Sequence, residues 1–134
     1  MRLVALSRDY QALKLVAATE RAGHEATGKD AGEVAGVGRL GVAIGQEIPA
    51  GVQVVIDFTA PAATRELLAV CRSKKIAMVI GTTGLQPSDH TLIDEAAKEI
   101  PILQAPNMSL GVNLMFKVAA EMARILGDDY DLEI

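Results

Sequence analysis

Ala77-Met-Val-Ile-Gly-Thr-Thr-Gly84 is the stretch of this chain that decides its fold class. The apolar run Ile76 to Ile80 ends at two glycines that flank two threonines. A short apolar run bounded by turn residues predicts a strand buried on both faces, as in a parallel sheet. The glycines allow a close backbone approach, and open α/β sheets bind ligands at the carboxyl ends of their strands. Taken alone, the stretch fits an ordinary strand and tight turn equally well.

Two further segments have the same organisation, namely Val54-Val-Ile-Asp-Phe-Thr59 and Ile102-Leu-Gln-Ala-Pro-Asn107. Each is an apolar run that ends in small or polar residues, and each is followed by a helical pattern. Alternating strands and helices predict a doubly wound, Rossmann-like parallel sheet in the α/β class. We therefore expect Thr59, Gly81 to Gly84 and Ala105 to Asn107 to share one edge of that sheet.

Helical patterns separate the predicted strands. Pro61 to about Ser73 predicts a helix with Thr59 as its N-cap, and Pro87 to Glu99 predicts a second one. The first helix is expected to face the sheet with Leu67, Leu68 and Cys71. The apolar side of the second helix is formed by Leu92, Ile93, Ala96 and Ala97. Gly111 to Leu126 predicts a long helix with one apolar stripe formed by Leu114, Val118, Met122 and Ile125.

The first part of the chain is less regular. Arg2 to Arg8 has helical spacing, and we expect Leu3 and Leu6 to face the sheet, with a strand at Leu13 to Ala18. The following segment is rich in glycine. Within it, Asp30 to Ala35 predicts a short helix capped by Asp30, and Gly41 to Ile44 predicts a short edge strand.

Composition limits the classes of function. The net charge of −4 argues against a nucleic-acid surface, and no apolar run has membrane-spanning length. The single cysteine, Cys71, lies in a helical pattern and is expected to be a buried, inert thiol. No Cys/His cluster has metal-binding spacing. The simplest expectation is one cytoplasmic domain that binds a small molecule.

Glu20 and Arg21 follow the predicted strand at Leu13 to Ala18. An acidic residue at the end of the second strand of a dinucleotide-binding unit accepts hydrogen bonds from the adenosine ribose. An adjacent arginine stacks on adenine or holds a 2′-phosphate. The alternative is two solvated charges at a strand end. His24 and His90 lie among polar neighbours and are expected at the surface.

A dinucleotide-binding sheet normally opens with a strand and a G-x-G-x-x-G turn at a helix N-terminus, where the pyrophosphate binds. No such turn is found here, and counting back about 20 residues from Glu20 reaches Met1. If the first helix is correct, the chain begins inside the element that this turn should start. The opening strand is then expected to be missing.

Five segments form a characteristic series along the chain: Gly28-Lys-Asp-Ala-Gly32, Val55-Ile-Asp-Phe-Thr59, Val79-Ile-Gly-Thr-Thr-Gly84, Ala105-Pro-Asn-Met-Ser-Leu-Gly-Val-Asn113 and Gly127-Asp-Asp-Tyr-Asp-Leu-Glu-Ile134. In this order they resemble dihydrodipicolinate reductase, also named 4-hydroxy-tetrahydrodipicolinate reductase. The resemblance extends from Leu13 to the last residue. It implies an N-terminal cofactor domain at residues 1–127, with 128–134 beginning a C-terminal domain for substrate binding and tetramerisation.

The resemblance also implies a function and a set of site residues. The family reduces its cyclic substrate with NADH or NADPH in lysine and diaminopimelate synthesis. Glu20 and Arg21 would face the adenosine ribose, and Phe58 and Thr59 would lie along the cofactor. The nicotinamide end would be held by two further groups of residues: Gly81, Thr82 and Thr83, and Ala105, Pro106, Asn107 and Met108.

Two departures from the family pattern are the missing glycine turn and the missing His-His segment with its lysine proton donor. No catalytic residue is therefore assigned, and the chain is expected to be a fragment that is inactive alone and binds NAD(P)H weakly. The alternatives are a non-catalytic nucleotide-binding module and a relative of homoserine or aspartate dehydrogenase. The Gly-Thr-Thr-Gly and Ala-Pro-Asn motifs disfavour the dehydrogenases.

Overall fold

The parallel sheet predicted around Ala77 to Gly84 is present in the computed structural model, which describes residues 2–127, 130 and 131. The chain divides into two units, Met1–Gln53 and Val54–Ile134. Of residues 128–134, which the resemblance assigns to the beginning of a C-terminal domain, all but 130 and 131 lie outside the described residues.

The second unit contains a three-stranded parallel sheet made of β3 (Val54–Asp57), β4 (Ala77–Ile80) and β5 (Ile102–Gln104). Its middle strand is β4, whose Ile80 aligns with Asp57 on one side and with Gln104 on the other. β3 lies at the edge of this sheet, next to β4. An apolar run predicts a strand but does not encode how many neighbours the strand has.

Two helices of this unit, α3 (Pro61–Lys74) and α4 (Pro87–Ala97), each begin with a proline in the first turn. A proline suits this position because the first helical N–H groups have no partner within the helix. The N-cap of α3 is Ala60, so the prediction of Thr59 was wrong. The Thr59 hydroxyl donates instead to the Asp57 carboxyl, 2.6 Å away.

The buried faces of α3 and α4 match the predicted ones in part. Leu68 and Cys71 of α3 and Ile93 and Ala96 of α4 are buried. Burial, followed by the nearby Asp57 carboxyl, raises the pKa of the Cys71 thiol. Leu92 was also expected on the apolar side of α4, but 48% of its surface is exposed, and Ala97 is exposed as well.

One carboxylate joins the ends of the two helices. Glu99 follows α4, and its side chain forms ion pairs with Arg72 of α3 and with Lys75, the residue after α3. The Arg72 guanidinium, and then the Lys75 ammonium, lower the pKa of Glu99 to about 2. Because all three side chains are partly exposed, salt screens this cluster.

The last helix, α5 (Leu110–Leu126), starts one residue before its predicted start and is capped by Ser109, whose Oγ accepts from the Val112 N–H. None of its residues is buried. The predicted apolar stripe is present along the helix, but its four side chains are between 49% and 69% exposed.

The first unit begins with α1 (Arg2–Leu6), which a short 3₁₀ turn follows. The predicted helix is confirmed, but the predicted facing of Leu3 and Leu6 was wrong, because they are 45% and 42% exposed. Val4 instead packs against the small core formed by Ala26, Ala31 and Ile44. An apolar pattern over so few residues does not define which face is covered.

The remaining elements of the first unit are β1 (Ala18–Thr19), α2 (Ala31–Val34) and β2 (Ile44–Gly45). β1 and β2 pair in parallel. The strand predicted at Leu13 to Ala18 is reduced to β1, which pairs with β2 at Ala18 and Thr19. The predicted capping of α2 by Asp30 is confirmed.

Candidate functional site

The ends of β3, β4 and β5 lie side by side in the second unit, as predicted. The Gly81 N–H donates to the Asp57 carbonyl at 2.8 Å, and the Ala105 N–H donates to the Ile80 carbonyl at 3.1 Å. The Thr59 N–H donates to Thr82 Oγ1 at 3.0 Å. These bonds bring the three predicted motifs to one edge of the sheet.

An aromatic ring covers the glycine at the end of β4. Gly81 is buried, and a Cβ atom at this position would overlap the ring of Phe58. Phe58 itself is 50% exposed. Glycine at position 81 lets the ring lie against the backbone, and half of the ring surface stays open for contact with a ligand.

A buried polar network lies behind this edge. The Asp57 side chain, only 1% exposed, accepts hydrogen bonds from the Thr59 backbone N–H and from the hydroxyls of Thr59 and Thr64. Sequence reasoning gave no role to Asp57 or Thr64. The sequence does carry a signal for this network, because Asp57 is the single acidic residue in an otherwise apolar strand. A buried carboxyl group needs hydrogen-bond donors around it.

The remaining predicted residues of this edge differ in exposure. Thr82 is buried, whereas Thr83 and Met108 are exposed. The Asn107 Oδ1 accepts from the Ser109 N–H at 2.8 Å, so this side chain shapes the turn before α5. In the segment after β5, Ala105 is half-buried and Pro106 is exposed.

Glu20 and Arg21 belong to the first unit, where they follow β1 directly. The Glu20 N–H donates to the Gly45 carbonyl at 2.9 Å, which continues the pairing of β1 with β2. The Arg21 N–H donates to Glu20 Oε1 at 3.0 Å, and the Arg21 side chain is exposed. Both residues are thus at the end of a parallel strand, the position at which a ribose-binding acid was expected.

The spacing G-x-G-x-x-G does occur in the first unit, at Gly36-Val-Gly-Arg-Leu-Gly41, with all three glycines at φ values between 74° and 80°. This turn follows α2 and leads towards β2, so it is not the strand-to-helix turn that binds pyrophosphate. Its backbone N–H groups donate hydrogen bonds to the carboxylate of Asp30 instead. Asp30 Oδ1 accepts from Leu40, and Oδ2 accepts from Gly41 and Val42.

An open cleft of about 610 Å³ lies beside this turn, lined in part by Lys29, Glu33 and Arg39. It is distant in sequence from the strand-end motifs of the second unit. We assign the candidate site to the strand ends because residues of three separate motifs converge there through hydrogen bonds.

Within residues 2–127, 130 and 131, no group of three or more His, Cys, Asp or Glu side chains is arranged to hold a metal ion. In the same residues, no helix combines the length and apolar character needed to cross a membrane.

The residues present at the sheet edge fit a nicotinamide nucleotide. The exposed half of the Phe58 ring offers a flat apolar surface for a heteroaromatic ring. The exposed Thr83 hydroxyl lies in the neighbouring turn, where it is available to a polar substituent such as a carboxamide. A ligand of this kind would lie at the carboxyl ends of parallel strands, where open α/β sheets bind them.

Comparison with known proteins gives a family. Residues 1–108 match the family described as dihydrodipicolinate reductase, N-terminus. The chain is 46% identical to the 4-hydroxy-tetrahydrodipicolinate reductase of Citrifermentans bemidjiense, covering 99% of this chain and 51% of the relative. It is 51% identical to the proteins of that name from Geobacter metallireducens and Alkalilimnicola ehrlichii, covering 87% and 90% of this chain and 45% and 46% of the relatives.

The chain thus spans about half the length of the curated relatives it matches. The family match covers the first unit and residues 54–108 of the second, including the strand ends of β3, β4 and β5. The chain belongs to the dihydrodipicolinate reductase N-terminus family.

Proposed function

We propose that this chain is the nicotinamide-nucleotide-binding part of a 4-hydroxy-tetrahydrodipicolinate reductase. The enzyme would reduce 4-hydroxy-tetrahydrodipicolinate to tetrahydrodipicolinate with NADH or NADPH, in the synthesis of lysine and diaminopimelate. A cytoplasmic location and a homotetrameric assembly are parts of the same proposal. The names of the relatives support the reaction, and the strand-end motifs support the place of the cofactor.

One observation carries the proposal, namely the convergence of three motifs at the carboxyl edge of β3, β4 and β5. When bound, the nicotinamide supplies the hydride. The chain's own residues would bind and orient the nucleotide: Phe58 by contact with its exposed ring, Thr59, Thr82 and Thr83 from the two neighbouring turns, and Gly81 by leaving room for Phe58.

The other assigned residues complete this proposed site. Ala105 to Met108 would border the nicotinamide end, since they follow β5 at the same edge. Glu20 would accept hydrogen bonds from the adenosine ribose, and Arg21 would contact the adenine or a 2′-phosphate. We assign no proton donor to the reaction, because neither His24 nor His90 matches the catalytic segment of the family.

The proposal is tested with a hybrid protein, in which this chain replaces the aligned half of the Citrifermentans bemidjiense reductase. We expect the hybrid to oxidise NADH or NADPH only when 4-hydroxy-tetrahydrodipicolinate is present, as the unmodified relative does in a parallel assay. We expect no turnover from the 134-residue chain alone and only weak nucleotide binding. Its G-x-G-x-x-G spacing is not a pyrophosphate turn, and each hydrogen bond to a charged group contributes about 1.5–3 kcal/mol.

Two substitutions in the hybrid test the ribose contact. Glu20→Ala is expected to weaken NADH binding at least about tenfold, which corresponds to about 1.4 kcal/mol. Glu25→Ala is the matched control, because Glu25 is an exposed glutamate of the same unit and has no assigned role. A folded hybrid that binds neither nucleotide by calorimetry would contradict the proposal, and equal effects of the two substitutions would contradict the role of Glu20.

A further inference from the structure

Four side chains behind the proposed cofactor edge form one continuous hydrogen-bond network. Asp57 Oδ1 accepts from the Thr59 N–H at 3.1 Å and from Thr59 Oγ1 at 2.6 Å. Asp57 Oδ2 accepts from Thr64 Oγ1 at 2.6 Å. The oxygens of Thr64 and Thr82 are 3.0 Å apart, and Thr82 Oγ1 also accepts from the Thr59 N–H. Asp57, Thr64 and Thr82 are all buried.

The number of available protons assigns the direction of each bond. A threonine hydroxyl has one proton, and the short contact places that of Thr64 on the Asp57 carboxyl. The proton between Thr64 and Thr82 therefore belongs to Thr82. The Thr82 hydroxyl then donates to Thr64 and accepts from the Thr59 N–H, so both functions of this side chain are used inside the network.

Thr64 is the only helical member of the network. It lies in the first turns of α3, while Asp57 and Thr59 are at the end of β3 and Thr82 is just after β4. Its single hydroxyl oxygen thus joins two strand ends that are separated by more than 20 residues in sequence. Without it, Asp57 Oδ2 would lose its hydrogen-bond donor and Thr82 would lose its acceptor in a buried environment, which is unfavourable.

We propose that Thr64 is a positioning residue for the nicotinamide nucleotide. Through Asp57 it holds the turn of Phe58 and Thr59, and through Thr82 it holds the turn of Gly81 to Thr83. This inference rests on the proposed function, because these two turns are the ones that would contact the cofactor. Thr64 itself is buried behind them and does not touch the ligand.

The test uses the full 134-residue chain with three substitutions. Thr64→Val keeps the shape of the side chain but removes the hydroxyl, whereas Thr64→Ser keeps the hydroxyl. Thr91→Val is the matched control, because Thr91 is an exposed helical threonine of α4 whose hydroxyl bonds only locally, to the Pro87 carbonyl. Thr64→Ala replaces Thr64→Val if thermal unfolding shows that the valine variant is not folded.

Two NMR measurements are made on each protein: hydrogen exchange of the Thr59 amide, and the shift changes at Phe58, Thr59 and Thr83 on titration with NADH to millimolar concentration. We expect Thr64→Val to increase exchange of the Thr59 amide at least about tenfold relative to the Val79 amide within β4. We also expect it to reduce the NADH-induced shifts at least severalfold. Thr64→Ser and Thr91→Val should preserve both properties.

The outcomes separate this inference from the proposed function. If the unmodified chain shows no NADH-induced shifts at these residues even at millimolar concentration, the role of Thr64 towards the nucleotide is overturned, whereas the proposed function is decided by the hybrid protein. If Thr64→Val binds NADH as the unmodified chain does, only the positioning role is overturned. If Thr64→Ser is as impaired as Thr64→Val, the methyl group rather than the hydroxyl is responsible, and the proposal is wrong.

Discussion

At the scale of single residues, two small groups are held in close contact with their neighbours, one in each structural unit. Gly81 is one case, because the Phe58 ring occupies the space that a side chain would need. Asp30 is another, because its carboxylate accepts hydrogen bonds from five backbone N–H groups around the glycine-rich turn. Each leads to a test in which one residue is changed and its neighbour reports the effect.

Gly81→Ala is expected to displace the Phe58 ring and to lower the free energy of unfolding by about 1–3 kcal/mol. In a Phe58→Ala background the same substitution should cost much less, because the overlapping ring is absent. Denaturant unfolding of the four proteins gives the coupling energy directly. Gly45→Ala is the control, since a Cβ atom there would have no neighbour closer than 4.0 Å. Equal costs in both backgrounds would contradict the contact between Gly81 and Phe58.

Asp30→Asn is expected to reduce stability in a pH-dependent way. Hydrogen bonds from backbone N–H groups lower the pKa of Asp30 below its ordinary value of 3.8, and the bond from Leu40 has the largest effect. The folded pKa is below the unfolded one, so the stabilisation is fully present above about pH 3.8 and is lost as the pH falls through the folded pKa. An asparagine has only one side-chain oxygen. Its NH₂ group would replace either the oxygen that accepts from Gly41 and Val42 or the oxygen that caps α2.

The measurement is the difference in free energy of unfolding between the unmodified chain and Asp30→Asn across this pH range. We expect a constant difference from pH 5 to 7 that decreases below pH 3.8. Asp94→Asn, which changes an exposed carboxyl of α4 outside the loop, is the control and should show a much smaller difference. A pH-independent difference would show that the charge of Asp30 does not matter.

At the scale of whole elements, α3 and α4 depend on a few buried contacts, whereas α5 has none. Leu68 of α3 is buried, and Leu92 of α4, with the same side chain and a similar helical setting, is half exposed. The apolar stripe of α5 is exposed along its length. The apolar periodicity of the sequence therefore predicted all three helices. It did not show which of their apolar faces are buried and so contribute most to stability.

Leu68→Ala is expected to lower the free energy of unfolding by about 2–5 kcal/mol, because it removes buried methyl groups and leaves a cavity. Leu92→Ala is the matched control and is expected to cost no more than about 0.5–1 kcal/mol, because much of the side chain is already in water. Thermal or denaturant unfolding of both variants makes the comparison. Similar costs for the two substitutions would contradict the burial that separates them.

At the scale of the whole molecule, the predicted cofactor residues are distributed over two structural units. Glu20 and Arg21 are in the first, and the residues from Phe58 to Met108 are in the second. The family match, at residues 1–108, includes the first unit and part of the second. The first unit has a small core, and it also contains the hydrogen bonds of Asp30 and the paired ends of β1 and β2.

The sequence by itself determined the parallel strands β3, β4 and β5, the helices that follow them and the family, because apolar periodicity and strand-end motifs are local properties of the chain. Tertiary structure alone decided the rest. Thr64 meets Thr82 and Asp30 meets Gly41 only after folding, since these pairs are 18 and 11 residues apart. Periodicity placed Leu3, Leu6 and Leu92 on apolar faces, but exposure depends on which neighbouring element covers each face, and that is a property of the folded chain.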